Sequence, residues 1–390
     1  MKILQVHNFY RQPGGEDRAC AAEYRLLTER GHSVTQYLAH NDALGSMTLI
    51  EAGVKTIWNH KSFQEIGALI RREAPDVIHA HNTFPLISPA IYYAAAAERV
   101  PVVQTLHNYR LLCPGGTFFR HGRVCESCLG SFAPYRAAVH GCYRDSRPAS
   151  IVTASMLVSH KIAGTWKRKI ETYIAVTDFS KRKFIEGGLP GDRIAVKPNF
   201  LAEDSGPGSG SGGFAVFTGR LSEAKGLDVL LKAWERLGSM LPLKIAGNGP
   251  LAGWLRERLP KMRGVEWMGS CDREVVIALL KNATLAVLPS KSHEQLPMAI
   301  VEASACGTPV VVPALGSMNE VIVEGVNGIH FRAGDAQDLA DKIEAILGRP
   351  SELASMRRGA RLSFERNYTA ERNYELLMRI YEDTIGRYAN

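Results

Sequence analysis

The stretch SKSHEQLPMAIVEASACGTPVV (residues 290–311) sets Glu294 just ahead of a short apolar helix and Glu302 inside it. A core helix needs neither acid, and a surface helix would not be wrapped in Leu296, Met298, Ile300, Val301 and Ala303. Carboxylates in so apolar a setting are either paired or waiting for a ligand. Pro297 suits the first helical turn, which leaves Glu294 in the preceding loop and Glu302 about one and a half turns in. Facing one side, the two acids can accept hydrogen bonds from the adjacent hydroxyls of a sugar or ribose. A complementary pair of cations lies upstream. In FAVFTGRLSEAKGLDVLLKAW, Arg220 and Lys225 stand between Gly219 and Gly226, after a strand and before an amphipathic helix. Cations there make a site for a diphosphate, although ordinary loop charges look the same taken alone. KIAGNGPL adds Gly247, Asn248 and Gly249, with Pro250 pre-set for a first helical turn. Its glycines admit a flat ring or a sugar, and a plain tight turn explains them nearly as well. Cations for a diphosphate and carboxylates for hydroxyls together describe a nucleotide sugar.

Elements of a definite kind must hold these groups. Runs of strand length alternate with helical patterns, at 2–7, 33–38, 76–80, 101–106, 173–177 and 193–197, then at 214–219, 243–247, 265–269, 285–290, 309–313 and 328–331. Continuous Val/Ile/Leu runs suit parallel strands covered on both faces, and strand–helix alternation implies doubly wound α/β domains. A chain of 390 residues is too long for one ordinary core. The boundary reads at EDSGPGSGSGG (203–213), which has almost no large apolar side chain and looks like a flexible linker. The expected organisation is a first domain over 1–200, a linker over 201–213, a second domain over 214–368 and a final helix over 369–390. Two parallel-sheet domains joined in this way bind ligands outside the carboxyl ends of their strands.

Composition narrows the function classes. With 45% hydrophobic and 22% charged residues the chain is globular, and no apolar run reaches the roughly 18 residues of a membrane span. MKILQVHNFY is too short in its apolar run for a signal peptide and reads as a first strand, so the expected location is cytoplasmic. The net charge of +8 is lopsided: residues 1–200 hold 25 Lys/Arg and 16 Asp/Glu, and residues 120–197 alone hold 14 and 6. This is either a solvated basic face or an attraction to an anionic membrane surface, helped by Trp166 in GTWKRK. No helix-turn-helix, finger or RNA-binding signature accompanies the charge, which argues against nucleic acid. No G-x-G-x-x-G follows the first strand, which argues against a nicotinamide dehydrogenase.

TGRLSEAKG, AGNGPL, the E-x7-E of HEQLPMAIVE and the following ASACGTPVVVPALGSMNEVIVEGVNGIHF resemble the large retaining glycosyltransferase group 1 (family four) with its GT-B fold. The N-terminal GGED (14–17) and QTLHNYR (104–110) extend the resemblance over most of the chain. It implies two Rossmann-like domains facing a cleft, with the last helix crossing back to the first domain, although an oligomer contact would also suit NYELLMRIYEDTIGRY. It implies that Arg220 and Lys225 clamp the diphosphate of a UDP- or GDP-sugar, that Glu302 holds the ribose and that Glu294 contacts the transferred sugar. His107, at a strand tip, would reach the donor sugar. Gly14 and Gly15 would face the phosphates and acceptor, while Gly219, Asn248, Gly249, Gln295, Leu296 and Pro297 would line the donor. No catalytic metal is expected. Where the family commonly has Gly after the first Glu, this chain has Gln295, which puts the choice of sugar in doubt. The implied acceptor is a glycan or a polyprenyl-diphosphate-linked sugar in surface polysaccharide or glycolipid synthesis. A soluble acceptor, or a non-catalytic nucleotide-sugar-binding protein, is the alternative.

Four cysteines, Cys113, Cys125, Cys128 and Cys142, are spaced C-x11-C-x2-C-x13-C within a Gly-rich insertion (113–142). The spacing is close to a structural zinc pattern, with free thiols, or a disulfide or redox role, as alternatives; a cytosolic location argues against disulfides. Cys20, Cys271 and Cys306 read as small core residues.

Overall fold

A computed structural model describes residues 1–11 and 14–389. The chain divides into two compact units, Met1–Phe118 with Glu126–Pro198 and Ala370–Asn390, and Phe119–Cys125 with Asn199–Thr369.

The strands in chain order are β1 (Lys2–Phe9), β2 (Ser33–His40), β3 (Val77–Asn82), β4 (Val102–Leu106), β5 (Phe119–Arg120), β6 (Arg123–Val124), β7 (Thr172–Ala175) and β8 (Ile194–Val196). The first unit's sheet runs β2-β1-β3-β4-β7-β8, with every pair parallel. Its β3 and β4 are buried end to end, as strands covered on both faces must be. One face packs Leu4, Val6, Ile78 and Ile91, and the other packs Ile3, Val77, Val103 and Ile174. The C-terminal helix Ala370–Ala389 covers that second face, burying Leu377, Ile380 and Tyr381. Tyr381 Oη lies 2.7 Å from His79 Nδ1, and the Thr384 hydroxyl lies 2.7 Å from that of Thr172. The helix therefore returns to the first unit, and the docking reading of its Tyr- and Leu-rich face holds.

In the second unit β9 (Ala215–Thr218), β10 (Leu243–Ala246), β11 (Val265–Gly269), β12 (Leu285–Val287), β13 (Val310–Pro313) and β14 (Gly328–Phe331) form a parallel sheet in the order β11-β10-β9-β12-β13-β14. In this doubly wound order the chain runs outward from β9 through β10 and β11 and then returns to the other side of β9, so the switch point lies between β9 and β12. The helix Leu227–Leu237 buries Leu227, Leu230, Leu231, Trp234 and Leu237 on one face of that sheet. Each such side chain contributes roughly 1.5–3 kcal/mol.

Two expectations need correction. The Gly/Ser run read as a flexible linker is bonded along its length. Gly208, Gly210 and Gly212 donate to the carbonyls of Cys306, Lys281 and Asn282, each at 2.9 Å, and Arg357 clasps the Gly208 carbonyl. A Cβ on Gly208 would lie 2.1 Å from the Lys281 carbonyl oxygen, so close approach of backbones, not mobility, explains its composition. Trp166 is 9% exposed and packs against Tyr92 and His160, so its ring is core and does not reach an interface. No helix among the described residues is long and apolar enough to cross a membrane.

Candidate functional site

The β9 and β12 strands flank the switch point, and their following loops are stitched together. Lys291 N–H donates to the Ala224 carbonyl at 2.7 Å, and Lys291 Nζ pairs with Asp228 at 3.0 Å. Within this frame Lys225 Nζ sits 2.7 Å from Glu294 Oε1, which also accepts from Ser290 Oγ at 2.9 Å. Ser317 Oγ donates to the Glu294 carbonyl at 2.7 Å and fixes the loop from behind. The group assigned to phosphate and the group assigned to a sugar hydroxyl are thus ion partners of each other. Arg220 is exposed on the same loop, after Gly219.

The helix Met298–Ala305 follows, with Pro297 in extended conformation at its cap position and not inside its first turn. Gln295, Leu296 and Glu302 are buried, with Glu302 only 7% exposed. The room Gln295 needs is therefore found inside the fold. The glycines of the AGNGPL turn serve packing: a Cβ at Gly247 would lie 1.9 Å from the Gly219 carbonyl oxygen, and one at Gly249 would lie 2.5 Å from that of Leu221. They press the β10 turn onto the Arg220 loop, and Asn248 accepts from Leu221 N–H at 2.9 Å through its carbonyl.

The first unit holds a second constellation. His107 follows β4, and its Nε2 lies 3.0 Å from His81 Nδ1. Which ring carries that proton follows from Gln5. The Cys20 carbonyl can only accept, so Gln5 turns its amide nitrogen toward it at 3.0 Å, and the same NH2 reaches His81 Nε2 at 3.2 Å. His81 therefore accepts at Nε2, carries its proton on Nδ1 and donates to His107 Nε2. Glu23 Oε2 is farther from His81 Nε2, at 3.4 Å, while Lys197 Nζ holds the other carboxylate oxygen, Oε1. His107 is left with its own proton on Nδ1, as a neutral donor. Burial first, then neighbouring imidazoles and Lys197, hold His81 and His107 well below the usual histidine range, and burial with Lys197 lowers His79 to about 4.

Glu23, His79 and His81 bring ligand-type atoms within 4.8 Å of one another. They do not make a metal centre. His79 spends both nitrogens on Tyr381 and Thr105, His81 spends both on Gln5 and His107, and the Lys197 ammonium takes Glu23 Oε1, which leaves Glu23 Oε2 as the one oxygen of the group without a hydrogen-bond partner.

Gly14 and Gly15 open the helix Gly15–Glu29, and the two acids after them do more than expected. Asp17 accepts from Gly14 N–H at 2.6 Å and pairs with His7 at 2.7 Å. Glu16 accepts from Asn108 Nδ2 at 3.0 Å, beside His107, and burial raises its pKa. The sequence carries a signal for this region. His-Asn recurs at the ends of the first four strands: His7-Asn8, His40-Asn41, His81-Asn82 and His107-Asn108. In the sheet order β2-β1-β3-β4 these pairs line one edge. The asparagines tie the loops: Asn8 donates to Asn41 at 2.9 Å and accepts from Leu86 N–H at 2.9 Å, while Asn82 donates to the Asn8 carbonyl at 2.7 Å.

Cys113, Cys125, Cys128 and Cys142 are half-buried. Cys113 and Cys142 converge, since a Cβ at Gly115 would meet Cys113 Sγ at 3.7 Å and Cys142 Cβ at 3.6 Å. Cys20 and Cys306 are core residues as expected, and Cys271 is half-buried.

Comparison with known proteins agrees with both sheets. Residues 13–204 match the model of Glycosyltransferase Family 4, and residues 208–363 match that of Glycosyl transferases group 1. The D-inositol 3-phosphate glycosyltransferase of Xylanimonas cellulosilytica is 33% identical over 348 residues, covering 84% of this chain and 75% of that one. Glycogen synthase of Mycobacterium tuberculosis is 28% identical over 297 residues, covering 74% of this chain but only 64% of its own length. Anabaena HepE in complex with UDP and glucose superposes with a TM-score of 0.68 at 20% identity, over 98% of this chain and 100% of that one.

Proposed function

Because the chain belongs to the group 1 glycosyltransferases, we propose that it transfers a hexose, with retention, from a UDP- or GDP-sugar to a glycan or lipid-linked acceptor in surface polysaccharide or glycolipid synthesis. The observation that carries this reading is the Lys225–Glu294 pair at the β9/β12 switch point, where a doubly wound sheet takes its ligand. Arg220 and Lys225 receive the diphosphate. Glu294, released from Lys225, accepts from a sugar hydroxyl, and Glu302 accepts from the ribose. Gly219, Asn248, Gly249, Gln295, Leu296 and Pro297 shape the donor's surroundings, and Gly14 and Gly15 those of phosphate and acceptor. His107 offers a neutral Nδ1–H to the transferred sugar.

In the reaction the bond from the sugar's anomeric carbon to the diphosphate oxygen breaks, and a bond from that carbon to the acceptor oxygen forms on the same face. The acceptor proton passes to a phosphate oxygen. Catalysis lies mainly in positive charge placed where the leaving diphosphate gains negative charge, a task Arg220 and Lys225 perform without a metal. The location we propose is cytoplasmic.

Were zinc bound, the thiolates of Cys113, Cys125, Cys128 and Cys142 would hold it and cross-link the loops of the 113–142 insertion without entering the chemistry; of these side chains, Cys113 and Cys142 converge beside Gly115. A second reading, a soluble small acceptor, is favoured by the name of the 33% identical relative, which acts on D-inositol 3-phosphate. Incubation with labelled UDP- and GDP-sugars separates these readings from a donor-binding protein without activity: neither transfer nor slow donor hydrolysis would leave only binding.

A further inference from the structure

Three neighbouring helices of the first unit carry large apolar side chains into solvent. On Leu49–Ile57, Leu49 and Ile50 are 78% and 81% exposed and Val54 is 61% exposed. On Tyr135–His140, Tyr135 and Val139 are exposed, and on Arg147–Ile162, Ile151 and Ile162 are exposed. The last of these helices packs against both others. Gly53 lies against Val152, and His160 bonds the Ile57 carbonyl at 2.8 Å. The outward stripe of the Arg147–Ile162 helix, through Ile151, Ser155 and Ile162, therefore runs between two helices that are themselves apolar outside.

Basic side chains dominate the charge around this face, although the Leu49–Ile57 helix itself carries Glu51, paired with Lys55 at 2.8 Å. Residues 131–170 hold seven Lys and Arg against a single acid, Asp145. The Lys161 ammonium lies over the exposed Phe132 ring, 5.3 Å from its centroid, and donates to the Ser131 carbonyl at 3.1 Å. We infer that this face docks on an anionic lipid bilayer, with the aliphatic tips entering the headgroup–acyl boundary and the basic side chains meeting lipid phosphates. Side chains exposed to four-fifths of their area project outward and do not line a groove. A fluid interface closes around such projections, whereas a protein partner would need a matching concavity. The inference is independent of the donor assignment and holds for either acceptor reading.

The test is flotation of the full-length protein with vesicles of phosphatidylcholine alone or with 30% phosphatidylglycerol, a composition set at about that of an anionic leaflet. Wild type is expected to float with the anionic vesicles, less so as salt rises. Leu49→Glu/Ile50→Glu is expected to lose at least about tenfold in partitioning, while Leu362→Glu, an exposed apolar residue of the second unit, floats as wild type. Both sites are exposed, and thermal melts are the check that the variants fold. The inference is overturned by failure to float at low salt, by equal binding to neutral vesicles, or by a double variant that binds as wild type. It is also overturned if sedimentation shows a dimer that the double variant converts to monomer, since a second copy then covers the face. Donor binding measured alongside is expected to be unchanged, so its loss would count against the functional reading and not against the face.

Discussion

Lys225 Nζ stands 2.7 Å from Glu294 Oε1 although 69 residues separate them, and each comes from the loop after one of the two strands flanking the switch point. A half-buried ion pair of this kind is poor as a stabilising device, because desolvation offsets most of its attraction. It is well suited to a site whose ligand brings both an anion for the lysine and hydroxyls for the carboxylate.

Substituting either member is therefore expected to harm turnover more than folding. Arg220→Ala and Lys225→Met should each lower kcat by about 10²–10³-fold, the scale on which preorganised charge acts, with melting temperatures near wild type. Steady-state kinetics with the donor found by screening checks this. Near-normal turnover in both variants discards the diphosphate assignment.

If His107 serves the donor as proposed and His81 only fixes its tautomer, double variants follow a set pattern. His107→Ala is expected to reduce kcat severely and His81→Leu by about tenfold, as the imidazole loses its fixed tautomer. The double variant should be no slower than His107→Ala alone. Losses that multiply would show that His81 has a separate task.

Stability should fall on mild acidification. Unfolded histidines titrate near pH 6.5, and the folded values of His79, His81 and His107 lie below it, His79 at about 4. The unfolded chain thus binds more protons in this window, and stability, complete above pH 6.5, is lost as pH falls toward the folded values. Each histidine contributes a slope of about 1.4 kcal/mol per pH unit there. Glu16, raised by burial, works in the opposite sense above its ordinary pKa and offsets part of the slope. Urea denaturation at pH 7.5 and 5.5 checks the sign; a midpoint unchanged or higher at 5.5 contradicts it.

For the cysteine insertion, metal analysis after gentle purification is expected to return one zinc per chain. Cys128→Ser should abolish it and loosen the insertion, read as faster amide exchange over 113–142. Substoichiometric zinc in wild type would favour free thiols.

The strands were legible because parallel strands buried on both faces leave continuous apolar runs, and all twelve strands of the two six-stranded sheets fall where those runs lie, whereas the two-residue strands β5 and β6 leave no such run. The Lys225 and Glu294 loops were legible as strand-end loops, but their pairing was not, since contact between distant loops depends on strand order. Composition misled at Gly208, where small residues permit contact as readily as freedom. Trp166 misled through its basic neighbours, which are exposed while the ring turns inward. The histidine edge was the reverse case. Four His-Asn pairs stood in the sequence, and only the sheet order shows that His81 and His107 become neighbours.

Calorimetric titration of UDP-, GDP- and other nucleotide sugars into wild type, Lys225→Met and Glu294→Gln probes the central claim most directly. One donor class is expected to bind wild type, with affinity at least about tenfold weaker in Lys225→Met for the sugar nucleotide and its free diphosphate alike. Glu294→Gln should weaken the sugar nucleotide far more than the diphosphate. Binding that is absent in wild type, or identical in all three proteins, would contradict it.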